Sequence, residues 1–140
     1  MQPAEAALSR TTPDVTQVVP LFGVSDIDAS VRFYVDGLGF AIKKSWLPEG
    51  QLRWCWLEIG QAALMLQTRA RAVPAPDGMS ICFMCADAIA LYQLFRSRGI
   101  AARRPFVGNG LWVTSVIDPD GYKLDFESPT DVAEDTEYSE

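Results

Sequence analysis

The sequence predicts an α+β fold in which two βαβββ modules form a curved mixed sheet, with the helices outside and a ligand cup inside. Three kinds of position recur after about 60 residues: helix-capping aspartates, helix-ending glycines and hairpin glycines. A helix with one apolar stripe lies on one face of its sheet, so the other face stays uncovered and is available to a ligand. The recurring pairs are Asp26 with Asp87, Gly39 with Gly99 and Gly60 with Gly121.

The first module is predicted over residues 17–68. Pro20 places its first strand at a sheet edge, because proline has no N–H to donate to a neighbouring strand. Ser25 or Asp26 caps the helix, and Gly39 ends it. The predicted elements are strands at residues 17–24, 40–47, 52–59 and 62–68, and a helix that reaches about residue 37.

The second module is predicted over residues 79–129, after a linker at residues 69–78 that is rich in proline and glycine. Asp87 caps its helix and Gly99 ends it. The predicted strands lie at residues 79–86, 101–106, 111–117 and 123–127.

The two ends of the chain are predicted to lie outside the modules. Residues 1–16 lack periodicity and are expected to form a flexible arm. Residues 130–140 carry five acidic side chains and few apolar ones, so this acidic tail is expected to be loose unless it lies against the body or a partner subunit.

Composition and charge exclude several classes of partner. The chain is 49% hydrophobic and 21% charged, which is typical of a globular domain. No apolar run approaches the ~18 residues of a membrane span, and no export signal is evident, so we expect a cytoplasmic protein with no membrane partner. The net charge of −6 repels phosphate backbones and argues against nucleic acid.

Histidine is absent, which removes the commonest general base and the commonest transition-metal ligand. The odd count of three cysteines is typical of a reducing compartment. Cys82 and Cys85 form a C-x-x-C, but on a strand side chains three positions apart point to opposite faces. We therefore interpret them as buried packing residues and not as a redox or zinc pair.

The segment 118–127 combines a tight turn with an alternating strand. Asp118-Pro119-Asp120-Gly121 has the residues that a turn requires. In the strand that follows, Leu124 and Phe126 alternate with acidic Asp125 and Glu127, so one face packs and the other carries carboxylates. The usual alternative is that these carboxylates are simply solvated.

Several short motifs occur together in the order expected of a known superfamily. They are Val24-Ser25-Asp26, Ser30 with Phe33-Tyr34, Leu38-Gly39-Phe40, residues 87–99 and Asp118-Pro119-Asp120-Gly121. In this combination, over roughly residues 17–129, the chain resembles the vicinal-oxygen-chelate superfamily. That superfamily includes glyoxalase, bleomycin-resistance proteins, fosfomycin-resistance enzymes and extradiol dioxygenases.

The resemblance implies a cup that in the enzymes holds a divalent metal, with ligands from the first and fourth strands of each module. In this sequence those positions are Val19, Met65, Ser80 and Asp125. Only Asp125 is a competent ligand for a hard metal. We therefore expect no metal, no cofactor and no catalytic residue. In this the chain resembles the bleomycin-resistance branch, whose antibiotic-resistance proteins look like binding proteins that sequester a drug in the same cup without metal catalysis.

The tryptophans indicate the kind of ligand. Strand alternation places Trp54, Trp56 and Glu58 on the cup side, and Trp46 and Trp112 lie on neighbouring strands or their ends. Indole faces stack on planar or cationic molecules, which predicts such a ligand. The alternative is that the tryptophans pack the sheet or a dimer interface. The predicted ligand-binding residues are Leu21, Trp46, Trp54, Trp56, Met65, Gln67, Ser80, Trp112, Asp125 and Glu127.

Three functional hypotheses remain. The first is a metal-independent small-molecule-binding protein that forms a homodimer. The second is a lyase, isomerase or dioxygenase-like enzyme that uses a non-standard metal or an acid–base site around Asp125. The third is an interaction module whose cup is filled by its own side chains, among them Met65 and Leu21.

Overall fold

The computed structural model of the protein describes residues 12–71 and 74–140. Most of the predicted N-terminal arm, residues 1–11, lies outside the described residues, as do residues 72 and 73 of the predicted linker. The strands are β1 (Leu21–Val24), β2 (Ala41–Trp46), β3 (Trp54–Ile59), β4 (Ala62–Thr68), β5 (Ile81–Met84), β6 (Phe106–Gly108), β7 (Leu111–Ile117) and β8 (Lys123–Pro129). The helices are α1 (Ile27–Val31), which continues as a π-helix over Arg32–Leu38, and α2 (Ala88–Ser97).

The α+β fold of two βαβββ modules is confirmed. Each module has its own four-stranded mixed sheet, in the order β1-β4-β3-β2 in the first half and β5-β8-β7-β6 in the second. The first and fourth strands of each module are parallel, and the remaining neighbours are antiparallel. No helix among the described residues is long and apolar enough to cross a membrane.

Both predicted helix caps are present. The Asp26 carboxylate accepts the backbone N–H of Ala29 at 3.1 Å, and the Asp87 carboxylate accepts that of Ala90 at 3.0 Å. These bonds satisfy N–H groups that a helix cannot satisfy internally at its first turn. Gly39 follows the first helix with φ 97°, a conformation that residues with a Cβ rarely adopt.

Three predicted strands differ from the structure by more than two residues in length or position. The strand predicted at residues 79–86 is shortened to β5. The strand predicted at residues 17–24 is shortened to β1, which is an edge strand as Pro20 indicated. The strand predicted at residues 101–106 is replaced by the short β6. Two features explain the replacement: the N–H of Ala102 bonds back to the carbonyl of Ile100 in a tight turn, and Pro105 has no N–H to extend the ladder.

The helix-facing sides of the two sheets share one hydrophobic core. Phe40 of the first module meets Phe83 of the second edge to face, with ring centroids 5.9 Å apart. Phe83 in turn stacks on Phe126 at 4.9 Å. Because both modules contribute to this core, neither buries its apolar face alone.

The turn at residues 118–121 connects the second module to the first through a buried hydrogen bond and a ring stack. The Tyr34 hydroxyl donates to the buried Asp118 carboxylate at 2.7 Å, while the N–H groups of Asp120 and Tyr122 donate to its other oxygen. Tyr122 stacks on Phe22 at 4.2 Å. Burial raises the pKa of Asp118, and the hydrogen bond from Tyr34 offsets part of this rise. Burial also raises the pKa of Tyr34, and the Asp118 charge raises it further.

The acidic tail lies along β6. The Val107 N–H donates to the carbonyl of Thr136 at 2.9 Å, and the Tyr138 N–H donates to that of Pro105 at 2.8 Å. The Tyr138 ring also packs against Tyr92 and Trp112. The tail therefore covers one edge of the second sheet with its own backbone.

Candidate functional site

The uncovered side of the first sheet is a row of aromatic side chains, which we call the aromatic face. Register places Trp46 opposite Trp54, and Trp54 opposite Gln67. Met65 lies between Trp56 and Leu21 on the neighbouring strands. On the opposite side of these strands, Cys55, Leu57, Leu64 and Leu66 face the core and are fully buried. The aromatic face consists of Leu21, Lys44, Trp46, Trp54, Trp56, Glu58, Met65 and Gln67.

One indole of the aromatic face is held in place by charged neighbours. The Trp56 ring N–H donates to the Glu58 carboxylate at 2.8 Å, and the Lys44 ammonium lies 5.1 Å from the Trp56 ring centroid. A β-bulge between Ile42 and Lys44 brings this lysine into register with Trp56. Trp46, in contrast, is 60% exposed. Its ring is therefore the most accessible stacking surface on this face.

The uncovered side of the second sheet carries carboxylates, and we call it the carboxylate face: Ser80, Cys82, Ser115, Asp125 and Glu127. Asp125 is only 7% exposed, and its carboxylate accepts a hydrogen bond from the Ser115 hydroxyl at 2.5 Å. Lys123 lies 3.7 Å from the second oxygen of the Asp125 carboxylate. Cys82 is directly opposite Asp125 on the neighbouring strand.

A thiol and two carboxylates come together on this face. One donor atom from each of Cys82, Asp125 and Glu127 lies within 4.8 Å of the others. Burial raises the pKa of the Cys82 thiol, and its hydrogen bond to Glu127 raises it further, so the thiol is protonated at neutral pH. The cluster therefore offers hydrogen-bond acceptors and negative charge to a ligand.

The residues at the superfamily's metal positions do not fit a divalent ion. Val19 has no donor atom, and the Met65 thioether lies on the aromatic face, where it is a poor ligand for hard cations. Asp125 is already engaged by Ser115 and Lys123. Of the four superfamily positions, only Asp125 carries a carboxylate, and that carboxylate already has two partners within the protein.

The structure brings most of the predicted site residues onto these two faces, but it does not place Trp112 there. Trp112 pairs with Ser128 across the sheet, on the side of β7 that faces α2. Its neighbour Thr114, on the same side, donates to the carbonyl of Ala88 at the start of α2. The Trp112 ring contacts Tyr138 at 6.2 Å. This tryptophan packs the tail and is not near Asp125.

Sequence reasoning missed Lys44 and Cys82. In the sequence Lys44 follows Lys43 in a short basic pair that is typical of a solvated strand end, and only the bulge in β2 brings it over Trp56. Cys82 was interpreted as a packing residue, although two-residue alternation from Ser80 places it on the carboxylate face. That alternation was the available signal.

A sizeable cavity among the described residues lies elsewhere. It is a groove of about 820 Å³ beside β5, and of the predicted site residues it includes only Ser80. The aromatic face is an open surface among the residues that the structure describes. A ligand bound there is enclosed only if something else covers this face.

Comparisons with known proteins identify the family of this chain and structures with a similar fold. The family model described as Glyoxalase/Bleomycin resistance protein/Dioxygenase superfamily matches residues 15–126. A comparison with curated protein sequences gives no significant match.

Several solved structures share the fold. TnmS3, an antibiotic binding protein from Streptomyces sp. CB03234, is 22% identical with a TM-score of 0.66, over 83% of this chain and 98% of that one. A bleomycin-binding protein complexed with bleomycin is 24% identical with a TM-score of 0.67, over 81% and 98%. A bleomycin resistance determinant encoded on the transposon Tn5 is 24% identical with a TM-score of 0.68, over 84% and 100%.

Proposed function

Because this chain belongs to the Glyoxalase/Bleomycin resistance protein/Dioxygenase superfamily, we propose that it binds a small planar or cationic organic molecule, of the antibiotic type, without a catalytic metal. The observation that carries the proposal is the aromatic face, where three indoles lie side by side on an uncovered sheet surface. Stacking on each indole contributes on the order of 1 kcal/mol. Similar folds that are named as antibiotic-binding proteins support the ligand class.

Charge supports the cationic part of the proposal. The chain has a net charge of −6, and the carboxylate face places Asp125 and Glu127 close together. A partly buried carboxylate pair favours a cation over an anion of the same shape. The thiol of Cys82 adds a hydrogen-bond donor beside them.

We further propose that the protein acts as a homodimer. In the described part of the chain the aromatic face is open, whereas small-molecule sites normally enclose most of the ligand surface. A second copy that covers the aromatic face completes the predicted cup.

Calorimetric titration tests the ligand class. We expect planar cationic aromatic antibiotics to bind more tightly than anionic analogues with matched rings. Trp46→Ala is expected to weaken binding about fivefold, the equivalent of one stacking contact. Trp112→Ala is the matched control, because that indole packs the tail, and it is expected to leave the affinity unchanged. Equal effects of the two substitutions, or no binding across the panel, contradict the proposal.

One observation favours a second candidate, an enzyme that uses Asp125 as a base. Asp125 is buried beside a thiol and a second carboxylate. In that case Asp125→Asn abolishes turnover but leaves ligand binding largely intact. If the protein only binds, the same variant weakens affinity for a cation and there is no turnover to lose. Parallel measurement of binding and product formation separates the two.

A further inference from the structure

We propose that Arg69 is a specificity-determining residue of the aromatic face, and that it selects planar ligands with a carbonyl oxygen at the edge of the ring system. Gly23 makes this possible, because the glycine leaves room for the arginine side chain on that face. The inference rests on the proposed function, since it concerns the ligand that the aromatic face binds.

One row of residues crosses the whole first sheet on its uncovered side. Register places Gly23 of β1 beside Gln67 of β4, Gln67 beside Trp54 of β3, and Trp54 beside Trp46 of β2. Neighbouring strands lie about 4.8 Å apart, so Gly23 and Trp54 are about 10 Å apart. A planar ligand that stacks on the two indoles and lies along this row directs its far edge toward Gln67 and Gly23.

Arg69 occupies the glycine end of the row. It follows β4 directly, and its backbone N–H donates to the Val24 carbonyl at 3.0 Å, which holds it beside the end of β1. Phe22 and Val24 are buried in the core, so a side chain at position 23 would point to the uncovered side. A Cβ added to Gly23 would lie only 2.8 Å from Cγ and 3.1 Å from Cδ of Arg69. The arginine side chain therefore lies on the aromatic face, in the space that the glycine leaves empty.

The Arg69 guanidinium is exposed and has no hydrogen-bond or ion-pair partner within the described residues. Two other arginines differ in this respect. Arg53 donates to the Gln51 side chain at 2.7 Å, and Arg98 donates to the Gly37 carbonyl at 3.2 Å. A guanidinium carries five N–H donors in a rigid fork and no acceptor. The glycine end of the row thus offers hydrogen-bond donors to an oxygen of the ligand.

The acceptor that we assign to the ligand is a neutral carbonyl. The guanidinium disfavours a positive charge at this end of the row, while the net charge of −6 disfavours an anionic ligand as a whole. A carbonyl accepts a charge-assisted hydrogen bond and adds no charge. The Gln67 side-chain amide, next in the row, supplies further donors. A ring without the oxygen covers these donors and leaves them unpaired, which costs affinity.

Two matched probes test this assignment by calorimetry. One is a naphthalene that carries an aminomethyl group and an acetyl group, and the other has an ethyl group in place of the acetyl. They share the rings and the ammonium and differ in one carbonyl. We expect the wild type to bind the acetyl probe about tenfold more tightly, as one hydrogen bond from a charged donor implies. Arg69→Gln is expected to remove this preference, and Arg69→Lys to retain part of it.

Gly23→Ala tests the position of the guanidinium separately from its charge. Gly23 does not have a positive φ, so alanine can adopt its backbone conformation, but the added methyl group displaces the Arg69 side chain. The variant keeps the arginine and is still expected to lose the preference for the acetyl probe. Arg53→Gln is the matched control, because Arg53 is an exposed arginine of the same module whose side chain bonds Gln51. Circular dichroism checks the fold of each variant.

The ratio of the two affinities is the readout, because a purely structural change weakens both probes equally. Loss of the preference in Arg69→Gln and Gly23→Ala, but not in Arg53→Gln, supports the assignment. Equal binding of the probes to the wild type, or a preference that survives either substitution, overturns it. The proposed ligand class stands in that case if Trp46→Ala still weakens both probes. Absence of binding by both probes contradicts the assignment and the proposed function together. If Gly23→Ala does not fold, the Arg69 variants decide the question.

Discussion

At the scale of single residues, the most consequential contact is the one between Tyr34 and Asp118. It joins the first helix to the turn of the other module and is buried from solvent. The carboxylate accepts three hydrogen bonds, so removing one leaves a buried acceptor incompletely satisfied. Such a loss costs about 1–3 kcal/mol.

Tyr34→Phe is therefore expected to lower the free energy of unfolding by about 1–3 kcal/mol at pH 7. Burial raises the pKa of Tyr34 in the folded state, so its stability contribution is complete below the ordinary tyrosine pKa of about 10 and declines above it. The expected decline is about 1.4 kcal/mol per pH unit, because only the unfolded chain loses the proton.

Denaturant unfolding from pH 7 to 11 measures both effects. Above pH 10 the free energy of unfolding should fall less steeply in Tyr34→Phe than in the wild type. The difference in slope should be about 1.4 kcal/mol per pH unit, which corresponds to one proton. Tyr92→Phe, a hydroxyl deletion in α2, is the control. Identical alkaline slopes in wild type and Tyr34→Phe contradict the prediction.

A second residue-scale prediction concerns metal. Asp125 accepts a hydrogen bond from Ser115 and lies beside Lys123, and the superfamily's other metal positions carry no carboxylate, so we expect no stoichiometric ion after dialysis against zinc or manganese. Elemental analysis of the purified protein measures this directly. An ion bound at one per chain, and lost in Cys82→Ser or Asp125→Asn, contradicts the metal-free proposal.

At the scale of elements, the helices depend on their caps. Asp87 accepts the N–H of Ala90, and Ser128 of β8 accepts the N–H of Ala88, so the start of α2 is fastened both locally and to its sheet. Thr114 of β7 donates to the carbonyl of Ala88. These contacts determine where α2 crosses the second sheet.

Asp87→Ala is expected to lower the free energy of unfolding by about 1 kcal/mol through loss of the cap. Asp87→Ser retains an acceptor at the same position and should recover most of that loss. Thermal or denaturant unfolding measures the difference. Equal destabilisation by alanine and serine shows that the cap is not the cause.

At the scale of the whole molecule, the two modules share one core and a buried junction. Phe40 and Phe83 meet across it, and Tyr122 stacks on Phe22. Neither module keeps these contacts when the other unfolds. We therefore expect a single cooperative transition.

Phe40→Ala tests that coupling. It is expected to cost about 3–5 kcal/mol and to shift both modules together. Hydrogen exchange at β3 and β8 reports on the two modules separately, and both sets of amides should lose protection by the same amount. Loss confined to β3 means that the modules unfold independently.

The sequence alone determined the duplicated βαβββ order, both helix caps and the alternation of β3, because these depend on local spacing. A two-residue period separates Trp54 and Trp56 from Cys55 and Leu57 without knowledge of any neighbour. The turn Asp118-Pro119-Asp120-Gly121 was also predicted from its residue types alone. Its partner Tyr34, 84 residues away, was not evident from spacing.

Where a strand has apolar residues on both faces, only the tertiary structure shows which face is turned to the core and which residues pack against it. In β7 both faces carry apolar residues, so alternation could not tell that Trp112 faces Tyr138 while Ser115 faces Asp125. The bulge that brings Lys44 to Trp56, the tail along β6 and the groove beside β5 likewise arise from contacts between segments distant in sequence. Local periodicity fixes the faces of an element, whereas its partners depend on how the elements pack.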